Sequence, residues 1–249
     1  GMIYVAKYSN TRADAIMLIF IIMIVELLFA IGYNSHLNMV ATNRQIKAGK
    51  ALFDNCDPEE YVIYINERLK TNTSNNPNQH KYDNILKNNM CLGLIESGNI
   101  DKAIELGNAV IEENEGKKSN VHLYIKSNLI DAYIDKGDMK KAREIYDSIV
   151  AEMENMSDKN KSSIAKMLDG ESHRLNVQDL SLEDRIDYYK SRFDNAETNY
   201  VKAKVAYELG ILYREKDDLD KAKENLKISI EKGNKLYIVK KSKEILENL

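Results

Sequence analysis

Three heptapeptides of one kind recur along this chain: SGNIDKA at Ser97–Ala103, KGDMKKA at Lys136–Ala142 and KDDLDKA at Lys216–Ala222. Each joins a turn, an acid or amide able to cap a helix, an aliphatic residue and a Lys-Ala pair. Position 98 to position 137 is 39 residues and 137 to 217 is 80. Eighty is two periods, so a divergent copy is expected between the second and third. Ser163–Arg174 and Leu182–Phe193 supply its two helices, joined by a loop over Asn176–Ser181.

The unit is most complete at Ala206–Lys227. Ala206, Leu209, Gly210 and Tyr213 stand three or four residues apart and so share one helical face. Lys216, Asp217 and Asp218 break the pattern, and Asp218 is placed to accept from the free N–H groups of a second helix, which turns Ala222 and Leu226 inward. Helices joined by so short a turn pack antiparallel, and neither can bury its apolar stripe alone.

With 2 prolines and 11 glycines in 249 residues, few positions can break a helix. The fold class expected is all-α, with no sheet. Net charge is −3, from 36 basic and 39 acidic residues intermixed along the chain, so the electrostatic footprint of a nucleic-acid binder is missing. The one basic concentration, Lys232–Lys243, reads as a polar final helix. Cys56 and Cys91 are too few for a disulfide framework and have no CxxC spacing. Cys91 falls at an inward position, where a free thiol acts as a small apolar residue; a Cys56–Cys91 bridge is the alternative for a chain outside the cell.

Ala15–Tyr33 reads AIMLIFIIMIVELLFAIGY, 19 residues with the single charge Glu26. A helix of that length reaches roughly 28 Å, close to the hydrocarbon thickness of a bilayer. Three readings compete. A cleaved signal peptide would need a shorter apolar region and a better small-residue site than Ala30-Ile31-Gly32. An assembly helix in a soluble homo-oligomer would normally carry a polar stripe. The favoured reading is an uncleaved single-pass anchor in the cell membrane. Lys7 and Arg12 lie nearer the span than Arg44, Lys47 and Lys50, which favours a cytoplasmic N-terminus with the repeats outside.

Beyond the span, Met39, Ile46, Ala48 and Leu52 outline a helix ended by Asp57-Pro58, and Tyr61, Ile63, Ile65 and Leu69 outline the next. The polar stretch Thr71–His80 is the clearest loop. The organisation expected is therefore 1–34 as tail and anchor helix, 35–82 as linker helices or a degenerate first repeat with its loop, and 83–249 as the repeat domain.

From about Asn84 onward the chain resembles the tetratricopeptide repeat family. The resemblance rests on Ala206, Leu209, Gly210, Tyr213, Ala222 and Leu226 in the third copy, on Leu129, Ile130, Tyr133, Ala142 and Tyr146 in the second, and on Met90, Cys91, Leu94, Ala103 and Gly107 in the first. The family's early aromatic is replaced by Lys87, Lys126 and Ala206, and its terminal proline is missing. The resemblance implies a right-handed superhelix of antiparallel helix pairs, preceded here by one long apolar helix. It also implies a concave face built from first helices, placing Asn88, Leu92, Tyr124, Ser127, Asp131, Tyr207, Ile211 and Arg214 there as a groove for a protein or peptide. The family's carboxylate clamp is not expected, because Asn88 and Leu92 stand where its lysine and asparagine would be. The layout is similar to bacterial envelope proteins that carry one anchor ahead of such repeats.

No enzyme is expected. His36, His80, His122 and His173 are scattered, without metal-ligand spacing, and no phosphate-cradling loop or nucleophile elbow occurs. No cofactor or metal is implied. The function expected is a membrane-anchored scaffold that binds protein, with a soluble homo-oligomer assembled through the apolar helix as the alternative.

Overall fold

The structure is a computed structural model that describes the backbone of residues 12–71, 79–114, 120–176 and 180–249. Side chains are described for 21–29, 31–32, 35, 43–70, 82–114, 120–176 and 180–249. No strand occurs among the described residues. The helices are α1 Arg12–Gly49, a π-helical turn Lys50–Asp54, α2 Pro58–Thr71, α3 Gln79–Glu96, α4 Ile100–Glu113, α5 Val121–Lys136, α6 Met139–Met153, α7 Asp158–Met167, α8 Asp169–Leu175, α9 Leu182–Asp194, α10 Asn199–Glu215, α11 Leu219–Gly233 and α12 Tyr237–Leu246. The chain divides into two compact units, 1–47 and 48–249.

In the first unit, Val25, Leu27, Leu28, Phe29 and Ile31 on α1 are all exposed, Phe29 by 75%. Among the described residues no helix is long and apolar enough to cross a membrane. The candidate span Ala15–Tyr33 lies partly outside them, at the side chains of 15–20, 30 and 33. Residues 72–78 of the expected loop also lie outside the described residues.

The second unit opens with the π-turn, which buries Ala51 and Leu52, and Pro58 takes the first helical position of α2, where its missing N–H is no loss. The three heptapeptides then fold alike. A left-handed residue follows the first helix of each pair: Gly98 at φ 79°, Gly137 at φ 84° and Asp217 at φ 64°. The next N–H reaches back to the carbonyl five residues earlier, Asn99 to Leu94 at 2.8 Å, Asp138 to Tyr133 at 2.8 Å and Asp218 to Tyr213 at 2.9 Å. That bond closes the first helix. Asp138 and Asp218 then cap the second through Lys141 N–H at 3.0 Å and Lys221 N–H at 3.2 Å. Asn99, in the first copy, makes no such side-chain bond.

Glycine sets how closely paired helices approach. A Cβ on Gly107 would stand 2.7 Å from Leu129 Cδ2, and one on Gly210 would stand 2.7 Å from Leu226 Cγ. In the region of the expected divergent copy, the first helical stretch starts at Asp158 and is interrupted at Leu168 into α7 and α8, where the weak helix formers Asp169 and Gly170 follow. Residues 177–179 of the expected loop lie outside the described residues. The second, α9, is capped reciprocally by Ser181 and Asp184. Cys56 and Cys91 are both buried free thiols; Cys91 bonds the Ala103 carbonyl at 3.4 Å, and burial pushes its pKa up to about 12.

The unit closes on itself. Leu52, Cys56, Tyr61, Ile65 and Leu86 share one apolar cluster with Ala203, Tyr207, Leu226, Leu236, Ile238 and Val239 from the far end of the chain. Polar bonds run along the same seam: Lys235 N–H to the Cys56 carbonyl at 3.1 Å, Asn234 Nδ2 to the Asn55 carbonyl at 2.8 Å and Lys235 Nζ to Asp57 at 2.6 Å. Helix α12 also touches α3, and Tyr237 roofs Gly98. The expected arc of repeats is therefore a closed ring of helices. The closing contacts come from the π-turn, which packs on α10, and from α12, which packs on α11, α10 and α3.

Candidate functional site: an ionic interior with a cavity

Ring closure decides what becomes of the expected groove. Leu92 and Ile211, from the first and third copies, pack against the same apolar cluster that holds Tyr207. Tyr207 is 4% exposed, with Lys241 Nζ of α12 lying 5.2 Å from its ring centroid. Tyr207, expected on the concave face, is therefore buried beside α12. Asn88 is half-buried and accepts from Asn128 Nδ2 at 2.9 Å. Ser127 and Asp131 also turn inward, whereas Tyr124 and Arg214 are exposed to solvent.

Ser127 and Asp131 meet a set of charged residues that the repeat pattern did not single out. Arg174 of α8 reaches three carboxylates: Asp131 through Nη1, Asp135 through Nη2 at 3.2 Å and Glu208 through Nε at 3.0 Å. Lys204 of α10 bonds Glu96 Oε1 at 2.7 Å and stands 3.7 Å from Asp131 Oδ2. Tyr200 donates to the same Glu96 oxygen at 2.7 Å. Lys241 bonds Asp135 at 3.0 Å, and Ser127 Oγ donates to Glu171 Oε1 at 2.6 Å.

Helical spacing arranges these groups. Asp131 and Asp135 stand one turn apart on α5, as do Tyr200, Lys204 and Glu208 on α10, so each helix offers a stripe of polar groups toward the ring interior. The kink at Leu168 carries Glu171 and Arg174 between those stripes. Burial alone would disfavour the charged forms of Arg174 and Lys204; the surrounding carboxylates outweigh it and raise both well above their ordinary pKa. Burial likewise opposes Asp131 ionisation, and Arg174 and Lys204 reverse that, lowering its pKa. For Glu171 the bond from Ser127 and the Lys204 charge offset burial only in part. Burial and the Asp131 charge push it up to about 7.

A cavity of about 240 Å³ opens onto this network, between α7–α8, α9 and α10. Tyr189 lines it, 4% exposed, and its buried hydroxyl has no hydrogen-bond partner. Lys166 and Arg192 line it from the solvent side. No cluster among the described residues has the donors to hold a metal ion. His173 stacks on Tyr188 with ring centroids 3.4 Å apart, a packed position. The arrangement sets fixed charges of both signs beside a cavity.

No curated protein matches this chain. The similarity that is found lies in the repeats: a tetratricopeptide repeat family model matches residues 94–158, from the end of α3 through the α4, α5 and α6 helices to the start of α7.

Proposed function

We propose that this protein is a non-enzymatic scaffold whose helical repeats bind a protein partner and whose α1 helix anchors it in the cell membrane, with the N-terminus cytoplasmic and the repeats outside. The observation that supports partner binding is the tetratricopeptide repeat match at 94–158 on a ring of antiparallel helix pairs, since stacked repeats of this kind present extended surfaces to other chains. The inner groove is largely packed by α12 and the ionic network, so the partner meets the open edge of the first helices, where Tyr124 is 42% exposed. A photo-crosslinking residue at 124 in the native cell tests this. A discrete adduct is expected, and equal labelling by a scrambled surface position would overturn the assignment.

Support for the anchor comes from the exposed apolar side chains of α1 together with the single-charge run Ala15–Tyr33. Side chains of that kind need lipid or another helix to cover them. Alkaline extraction of membranes is the test: the protein should stay with the bilayer. Release into the aqueous fraction as a defined oligomer would favour the assembly-helix reading instead.

A further inference from the structure

The ring interior is unbalanced. Glu96, Asp131, Asp135, Glu171 and Glu208 bring five carboxylates to it, and Arg174, Lys204 and Lys241 bring three cations. Arg174 and Lys204 are each held by more than one carboxylate, and the Lys204 charge offsets the cost at Glu171 only in part. On the cavity wall Glu171 and Glu208 stand with Asp131, Arg174 and Lys204, and with Lys166 and Arg192 at the solvent side. Glu208 and Asp131 are paired to Arg174, whereas Glu171 has no cation within ion-pair distance among the described residues. A buried carboxylate without a cation is costly, and it relieves the cost either by taking up a proton or by meeting a positive group. The second feature of the wall is independent of charge: the Tyr189 hydroxyl, buried and without a partner, carries lone pairs that an N–H donor would satisfy.

We propose that this cavity binds an aliphatic ammonium or guanidinium group, supplied by a lysine or arginine side chain of the protein partner. The source of the group rests on the scaffold reading above; the cation preference rests on the cavity alone. Glu171 supplies the counter-charge, and the Tyr189 oxygen accepts one N–H of the group. The surrounding carboxylates hold Arg174 and Lys204 in place so that neither swings over to fill the site. Lys166 and Arg192 oppose entry only weakly, because both lie at the solvent side, where charge is screened, and Arg192 bonds the Tyr188 hydroxyl at 2.8 Å. A cavity of about 240 Å³ admits a side chain and excludes a folded domain.

The test is calorimetric titration of the full chain, in detergent micelles, with agmatine. Saturable one-to-one binding is expected, with 1-pentanol and glutarate giving none. Glu171→Gln keeps an acceptor for Ser127 and should weaken agmatine about tenfold or more. Tyr189→Phe should weaken it about threefold. Lys166→Glu, at an exposed position that leaves the fold alone, should tighten it about threefold. Binding of glutarate in place of agmatine, equal binding of 1-pentanol, or weaker agmatine binding by Lys166→Glu would each overturn the proposal. A second arm uses the capped peptide Gly-Gly-Arg-Gly-Gly against its citrulline counterpart. Preference for arginine supports a partner side chain as the source. Agmatine binding without peptide binding keeps the cation site but removes it from partner capture, leaving the scaffold reading to the crosslinking experiment.

Discussion

The α10–α11 hairpin and the ionic interior lie side by side and are held by opposite physics. In the hairpin, Gly210 and Leu226 meet at the spacing of the repeat, and Leu209, Ala222 and Leu226 are buried in apolar clusters. In the interior, Arg174 is satisfied only by Asp131, Asp135 and Glu208, which come from two other helices. Apolar packing inside the hairpin is thus set by the spacing of the repeat, while the polar interior joins distant helices and fails as a unit. A buried charge with three partners is hard to remove, because the partners are left facing one another.

The sharpest way to break the comparison is at Arg174 and Leu226. Arg174→Ala leaves Glu208 without a cation and Asp131 and Asp135 with Lys204 and Lys241 alone, and is expected to cost about 3–5 kcal/mol, measured by urea unfolding. Leu226→Ala leaves a cavity in the hairpin and is expected to cost about 2–5 kcal/mol. Arg174→Met separates the two mechanisms by restoring volume without charge. If the interior is held by ions, it should remain close to the alanine variant; recovery of most of the stability would show that Arg174 acts by packing.

Acidity probes the same interior more gently. Glu171 has its folded pKa raised from 4.5 to about 7, so the folded state holds the proton more tightly than the unfolded chain. Its contribution to stability is therefore fully present below pH 4.5 and is lost as pH rises through about 7. Asp131, whose folded pKa is lowered, contributes in the opposite sense, with stability lost as pH falls. Comparing wild type with Glu171→Gln isolates the first effect: the variant should gain relative stability as pH is raised from 5 to 8. A difference that stays flat across that range would mean Glu171 is charged throughout.

These two regions also mark what was legible in the sequence. Helix pairing, caps and the inward places of Ala222, Leu226 and Cys91 follow from spacing, because each partner lies within one repeat. That Asp131 and Ser127 belong on an inner face is implied by the family resemblance rather than by spacing. Arg174, Lys204 and Glu96 were legible in neither: the residues that satisfy them lie tens of positions away, and a lone charge on a helix reads as a solvated face until its neighbour is known. Ring closure was hidden for the same reason. Nothing local tells α12 that its Lys241 will lie over the Tyr207 ring.

Turns of equal sequence pattern sharpen this contrast between local and distant control. Gly98 and Gly137 have the same left-handed backbone. A Cβ on Gly137 would meet nothing within 4 Å, whereas one on Gly98 would stand 2.6 Å from Tyr237 Cδ2. Gly137→Ala should cost only the backbone term, about 1 kcal/mol. Gly98→Ala should add an overpacking term of about 1–3 kcal/mol, since the seam to α12 must shift. Calorimetric melting of the two variants checks it, and equal losses would mean that Tyr237 moves aside freely.

The smallest effect is expected at the third turn, where local sequence and backbone disagree. Asp217 sits at φ 64° in the place that glycine fills in the other two copies. A residue with a Cβ pays for the left-handed conformation, and aspartate less than most, because its short polar side chain tolerates that region. Asp217→Gly removes the strain but loosens the unfolded chain, so the two terms partly offset. The balance expected is a gain of roughly 0.5 kcal/mol, as the strain of a non-glycine residue exceeds the added chain entropy. Asp218, which caps α11, must be left intact, since its loss would cost about 1 kcal/mol and mask the gain. Urea unfolding of Asp217→Gly against wild type decides the sign. A loss of stability would show that Asp217 does more at this turn than hold its backbone, and that the third copy, though closest to the repeat pattern, is tuned by its own side chain.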